Sequence, residues 1–143
     1  MRGRGRGHRL QLSGDRGSAA LEMAFIAPVF LLLVFFGIQV GLWAYGRSVA
    51  LAAAREGVAQ LRVVPDEQFA AAADPVVRAH VEQFATSVGR ESLLSPRAGT
   101  SWSADGTSVT VQVTGHVVSL VPGLDLTTTQ RATGTVERFG NTR

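Results

Sequence analysis

"RGSAALEMAFIAPVFLLLVFFGIQVG", residues 16–41, decides the fold of this 143-residue chain. An arginine and a glycine give way to small residues, a single glutamate, and then an uncharged apolar run. No residue from Met23 to Gly46 carries a charge. The 23 residues from Met23 to Tyr45 would form a helix of about 34 Å, slightly longer than a ~30 Å hydrocarbon core. Gln39 is the one strongly polar side chain in the run, and Trp43 and Tyr45 close it. Amphipathic rings favour the headgroup zone, so this pattern predicts a transmembrane helix over 18–46. A removable secretory signal is the competing reading. Its apolar core is typically only about 7–15 residues long, and "GLWAYGRS" offers no small-x-small cleavage site.

Charge is distributed unevenly around this helix. Residues 1–17 carry five arginines against one aspartate, a net +4, whereas the other nine arginines face ten acids. Positive residues close to a membrane segment stay in the cytoplasm, which places the carboxy-terminal part outside. The repeats in "MRGRGRGHRL" also suit a phosphate backbone. No aromatic residue interleaves them to stack on bases, so a nucleic-acid partner is not expected. All fourteen Lys-or-Arg positions are arginine, and cysteine is absent, which removes disulfides and thiolate metal sites.

Glu22 stands at the inner threshold of the helix, five positions after Gly17, with Ser18, Ala19 and Ala20 between. A carboxylate is costly at the bilayer centre and tolerable at its edge. Cleavage between Gly17 and Ser18 would leave an amine four residues before Glu22. In a bundle of such helices, that amine would neutralise a neighbour's acid. A buried pair of this kind is a poor source of stability but a good register device. Pro28 removes one backbone hydrogen bond, to residue 24, and loosens the helix there.

This arrangement resembles the class III signal of type IV pilin-like proteins, in which a basic leader ends in glycine and glutamate is the fifth mature residue. More narrowly, the stretch is similar to the amino terminus of TadE-like proteins, pseudopilins of tight-adherence (Tad) pilus systems. Gly17, Glu22, Pro28 and the apolar run carry the resemblance, which spans Arg16 to Val58. Met23 stands where pilins usually place an aromatic residue, with Phe25 two positions on. The short external part favours TadE over its relatives TadF and TadG. The resemblance implies a processing site at Gly17, Ser18 and Glu22, cut by a prepilin peptidase to leave Ser18–Arg143. It also implies assembly roles for Glu22 and Pro28, and three classes of partner: the lipid bilayer, other pilin or pseudopilin subunits, and the Tad assembly platform.

Beyond the membrane the helix is predicted to continue as "RSVALAAAREGVAQLRV", with Leu51, Ala54, Val58 and Leu61 on one stripe. Breaks follow at Pro65 and Pro75. Asp74 and Pro75 read as N-cap and first turn of a second helix, Pro75–Val88, closed by Gly89. Val77, Val81, Phe84 and Val88 would share its inner face. From Thr100 the texture becomes β. Asp105-Gly106 reads as a two-residue hairpin turn, and Val109, Val111 and Val113 alternate with polar residues. Gly115 is a candidate bulge, "VPGLD" a turn and "TTTQRATGTVERF" a last strand.

The expected fold is therefore α+β and membrane-anchored: a long amino-terminal helix, a second helix, and an antiparallel sheet of three or four strands. The expected organisation is a basic cytoplasmic leader over 1–17, the transmembrane helix over 18–46 and a small extracytoplasmic domain over 47–143. No catalytic motif is present. His8, His80 and His116 are scattered, so neither an enzyme, a metal nor a cofactor is expected. A non-catalytic component of Tad pilus assembly is the leading reading. A signal-anchored extracytoplasmic binding module is the alternative.

Overall fold

A computed structural model describes residues 15–64 and 67–136. The chain runs through α1 (Asp15–Leu61), α2 (Glu67–Gly89), β1 (Leu93–Trp102), β2 (Ser108–Val117) and β3 (Leu126–Thr135). The strands form an antiparallel meander in the order β1-β2-β3. Helix, helix, then sheet is the expected order, with three strands among the described residues. The residues before 15, expected as part of a basic leader, Pro65 and the expected end of the last strand beyond Val136 lie outside the described residues.

The chain divides into two units, Met1–Gly37 and Ile38–Arg143. In the first, α1 begins at Asp15 and passes through Pro28. Proline has no N–H, so the turn there lacks one rung, which the apolar neighbours tolerate. Every residue from Ser18 to Gly37 is exposed, including Phe25, Phe30, Leu33 and Phe36. That is far more contiguous apolar surface than water tolerates on a soluble protein.

In the second unit the rest of α1 and α2 cover one face of the sheet. The α1 stripe is built from small residues: Val49, Ala50, Ala53, Ala54, Val58 and Leu61 are buried, while Leu51 is half-buried. Small side chains bring helix and sheet close together. A Cβ on Gly57 would come within 2.7 Å of Val81 Cγ2 and 3.1 Å of Val111 Cγ1. From α2 the core takes Val77, Val81 and Ala85, and from the sheet Leu93, Val109, Val111, Val113 and Val117. Each fully buried valine contributes about 1.5–3 kcal/mol of transfer free energy.

Several local expectations are corrected. The second helix starts at Glu67, not at Pro75. Ala70–Ala73, a run of the best helix former, extends it upstream and outweighs the single bond that Pro75 removes. Asp74 therefore serves as a side-chain partner and not as a cap: it pairs with Arg78 at 3.1 Å and accepts the Thr100 hydroxyl. On the inner face Ala85 takes the position expected for Val88, which is 40% exposed.

The helix does end at Gly89, but the left-handed residue that follows is Arg90, with φ 46°. Gly89 itself answers a packing demand, because a Cβ there would meet Leu93 Cβ at 3.0 Å. The hairpin turn is longer than two residues. Ser103 and Ser108 bracket it through Ser103 N–H to Ser108 O, and Gly106 N–H closes a turn onto Ser103 O at 2.9 Å. Gly106 takes φ 65° but Asp105 is not left-handed, so the paired left-handed geometry of a two-residue loop is not formed.

The bulge lies on β1. Between Leu94↔His116 and Arg97↔Thr114, Ser95 and Pro96 oppose Gly115 alone. Pro96 cannot donate to the ladder, so the irregularity falls where the proline is.

The two outer strands differ at their edges. β1 is closed by α2, whose Glu82 carboxylate accepts the Ala98 N–H at 2.9 Å. The face of the sheet turned away from the helices is polar. It is laced by Thr110–Thr133 at 2.8 Å, Thr114–Thr129 at 3.0 Å, and Arg131 Nε donating to Gln112 Oε1 at 2.7 Å.

Candidate functional site

The residues singled out for processing and assembly all fall in α1. Gly17 and Ser18 are helical, so the bond between them lies within the first turn of a helix that begins at Asp15. Ser18 and Glu22 are exposed, one turn apart on the same helix, and Pro28 follows among exposed apolar residues. With the amino acids before Ser18 still attached, no free amine stands at that position. The charge partner envisaged for Glu22 exists only after cleavage. The span Ser18–Leu61 is long and apolar enough to cross a membrane, and none of its most apolar window is buried.

Residues later in α1 belong to the second unit, and the sequence assigned Gln39 no bonding role there. Gln39 is half-buried. Its Nε2 donates to Val118 O at 3.2 Å, and its Oε1 accepts the Leu120 N–H at 2.7 Å. The carboxamide thus pairs with the segment after β2 as a strand backbone would. A lone amide in an apolar run must find a polar partner, and that is the signal that could have flagged it. Two turns on, Tyr45 donates its hydroxyl to Val88 O at 3.2 Å, and the Arg47 guanidinium lies 5.6 Å from the Trp43 ring centroid. Such a stacked pair suits a headgroup zone, where the ring is greasy on one side and wet on the other.

Among the described residues the remaining polar groups are dispersed. His116 Nδ1 meets Asp125 Oδ1 at 2.7 Å, with both side chains exposed. His80 is exposed on α2. Among the described residues Asp105 has the one marked electrostatic perturbation: a hydrogen bond from the Ser103 side chain, then those from Thr107, lower its pKa to about 2. These bonds tie the hairpin tip together. Among the described residues no group of three histidine or acidic side chains is placed to hold a metal ion.

Gly17 and Glu22 thus head an exposed apolar helix, which runs into a small helix-and-sheet unit. Residues 17–59 match the family model of the TadE-like proteins, so over that stretch the chain is similar to them. No curated protein and no solved structure matches the chain. The matched segment holds Gly17, Glu22, Pro28, Gln39 and Gly57. The family supports a component related to the Tad pilus. Proteins of this kind are generally structural, and the family associates them with other pilus components and a membrane.

Proposed function

We propose that the chain is a non-catalytic, pseudopilin-like subunit of Tad pilus assembly, anchored by α1 with its basic amino terminus cytoplasmic. The observation that carries this reading is the TadE-like match over residues 17–59, which coincides with an uncovered apolar helix entered through Glu22. In this reading residues 1–17 are a leader, 18–46 the membrane segment and 47–143 an extracytoplasmic domain. A prepilin peptidase removes the leader after Gly17. Because α1 is already helical at Asp15, the peptidase must unwind one turn to reach the bond. Small Ser18, Ala19 and Ala20 make that unwinding sterically easy.

The mature amine at Ser18 then faces the Glu22 carboxylate of a neighbouring subunit. In a low-dielectric bundle an unpaired charge is strongly disfavoured, so correct stagger is selected by mispairing costs more than by attraction. Pro28 leaves one backbone carbonyl free a turn and a half further on, which softens the helix where subunits must adjust to one another. The other subunits and the assembly platform are the partners that would read this surface.

Mass spectrometry of the protein from its native membranes tests the reading. We expect a chain beginning at Ser18, no cleavage but normal insertion for Gly17→Leu, and insertion without incorporation into the pilus machinery for Glu22→Ala. A native chain retaining its leader would overturn the processing step and favour a signal-anchored binding module. Normal incorporation of Glu22→Ala would remove the register role from the carboxylate.

A further inference from the structure

We propose that the loop after β2, Val118–Asp125, is a second membrane contact, with Leu120, Val121 and Leu124 inserted at the headgroup–acyl boundary of the outer leaflet. This rests on the reading of α1 as a membrane-spanning helix.

The depth follows from Gln39. Only 16 residues, Met23–Ile38, lie between Glu22 and that amide, and as a helix they span about 24 Å against a ~30 Å core. The shortfall is about four residues. The segment from Gln39 to Leu42 must therefore enter the boundary region, and whatever is bonded to it must follow. What is bonded to it is the loop: Val118 O and Leu120 N–H are both held by the Gln39 carboxamide.

The loop is built for such a position. Leu120, Val121 and Leu124 are 44%, 53% and 46% exposed, and Leu94 beside them is 45% exposed. Around Val121 its backbone polar groups are satisfied internally, and the others can meet water at the headgroup level, where the loop is placed. The Ser119 hydroxyl donates to Val121 O and accepts the Val121 N–H, both at 3.1 Å, and Leu124 N–H donates to Val121 O at 3.2 Å. The acid that closes the loop, Asp125, is paired with His116. Trp43, Tyr45 and Arg47 supply interfacial anchors on the helix side.

Native cysteine is absent, so single cysteines can carry an environment-sensitive nitrobenzoxadiazole label in the full chain. The label is placed at Leu33, Val121, Leu124 or Ala104, the last being exposed in the β1–β2 loop. Each variant is reconstituted into phosphatidylcholine–phosphatidylglycerol vesicles containing lipids with a nitroxide near the headgroup or deep in the acyl chain. We expect Leu33 to be quenched by the deep nitroxide, Val121 and Leu124 by the shallow one, and Ala104 by neither. An unquenched Leu33 would sink the membrane-spanning reading itself. A quenched Leu33 with unquenched Val121 and Leu124 would sink the loop insertion alone. So would blue-shifted but unquenched emission at Val121, which would mean that another protein surface covers the loop. Equal quenching at Ala104 would replace insertion by general adsorption of the domain.

Discussion

Leu120 donates its backbone N–H to the Gln39 carboxamide at 2.7 Å across 81 positions of sequence. The same side chain returns a bond to Val118 O, so one residue of the apolar run holds the loop after the central strand.

Replacing Gln39 by alanine leaves Leu120 N–H and Val118 O to find water. A bond of this type is worth about 1 kcal/mol net, so the Leu120 amide should exchange roughly five times faster in hydrogen-exchange mass spectrometry or NMR. Amides in the middle of β2, such as Val111, should not change. Unaltered protection at Leu120 would mean that the loop holds itself in place.

Gly57 sits where α1 meets α2 and β2, with no room for a methyl group. Gly57→Ala should lower the stability of the full chain in micelles by about 1–3 kcal/mol. Val81→Ala opens space on the nearer side, so the double variant should lose less than the two single losses added together. Additive losses in a denaturation series would show that the strain is relieved elsewhere.

Arg90 pays for ending α2 with a left-handed backbone that a Cβ makes unfavourable. Arg90→Gly should raise stability by about 1 kcal/mol, and Arg90→Asn by less, read as shifts in the denaturation midpoint. A loss with glycine would indicate that the arginine side chain makes a contact outweighing its strain.

Asp105 is held at about 2, below its ordinary 3.8, by the Ser103 side chain and then by the Thr107 hydroxyl and N–H. A carboxyl with a depressed folded-state pKa stabilises the fold fully above its unfolded value. That contribution fades as pH falls from about 4 towards about 2. NMR titration of the Asp105 carboxyl should give a midpoint near 2, and Asp105→Asn should remove this part of the acid dependence. A midpoint near the ordinary value would detach the carboxylate from the turn.

Much of the fold was legible because its signals are local. A charge-free run cannot be hidden in a domain this small, and valines at every second position can present one apolar face only as a strand. Val109, Val111 and Val113 are buried as that alternation requires. The second helix was misjudged at its start because proline and aspartate are strong local punctuation. Whether punctuation prevails depends on neighbours: here Ala70–Ala73 sustain the helix, while Thr100 and Arg78 occupy Asp74.

The sequence by itself determined the apolar helix, the acid at its threshold and the order of helices and strands. Each follows from side-chain polarity and spacing along a few turns of chain. Only the tertiary structure decided that Gln39 bonds the loop after β2, that Glu82 caps the Ala98 N–H of β1, and that Gly57 meets Val81 and Val111 with no room for a methyl group. Those relationships join residues far apart in sequence. A donor, an acceptor or a missing methyl group gains its meaning from whatever the folded chain brings opposite it.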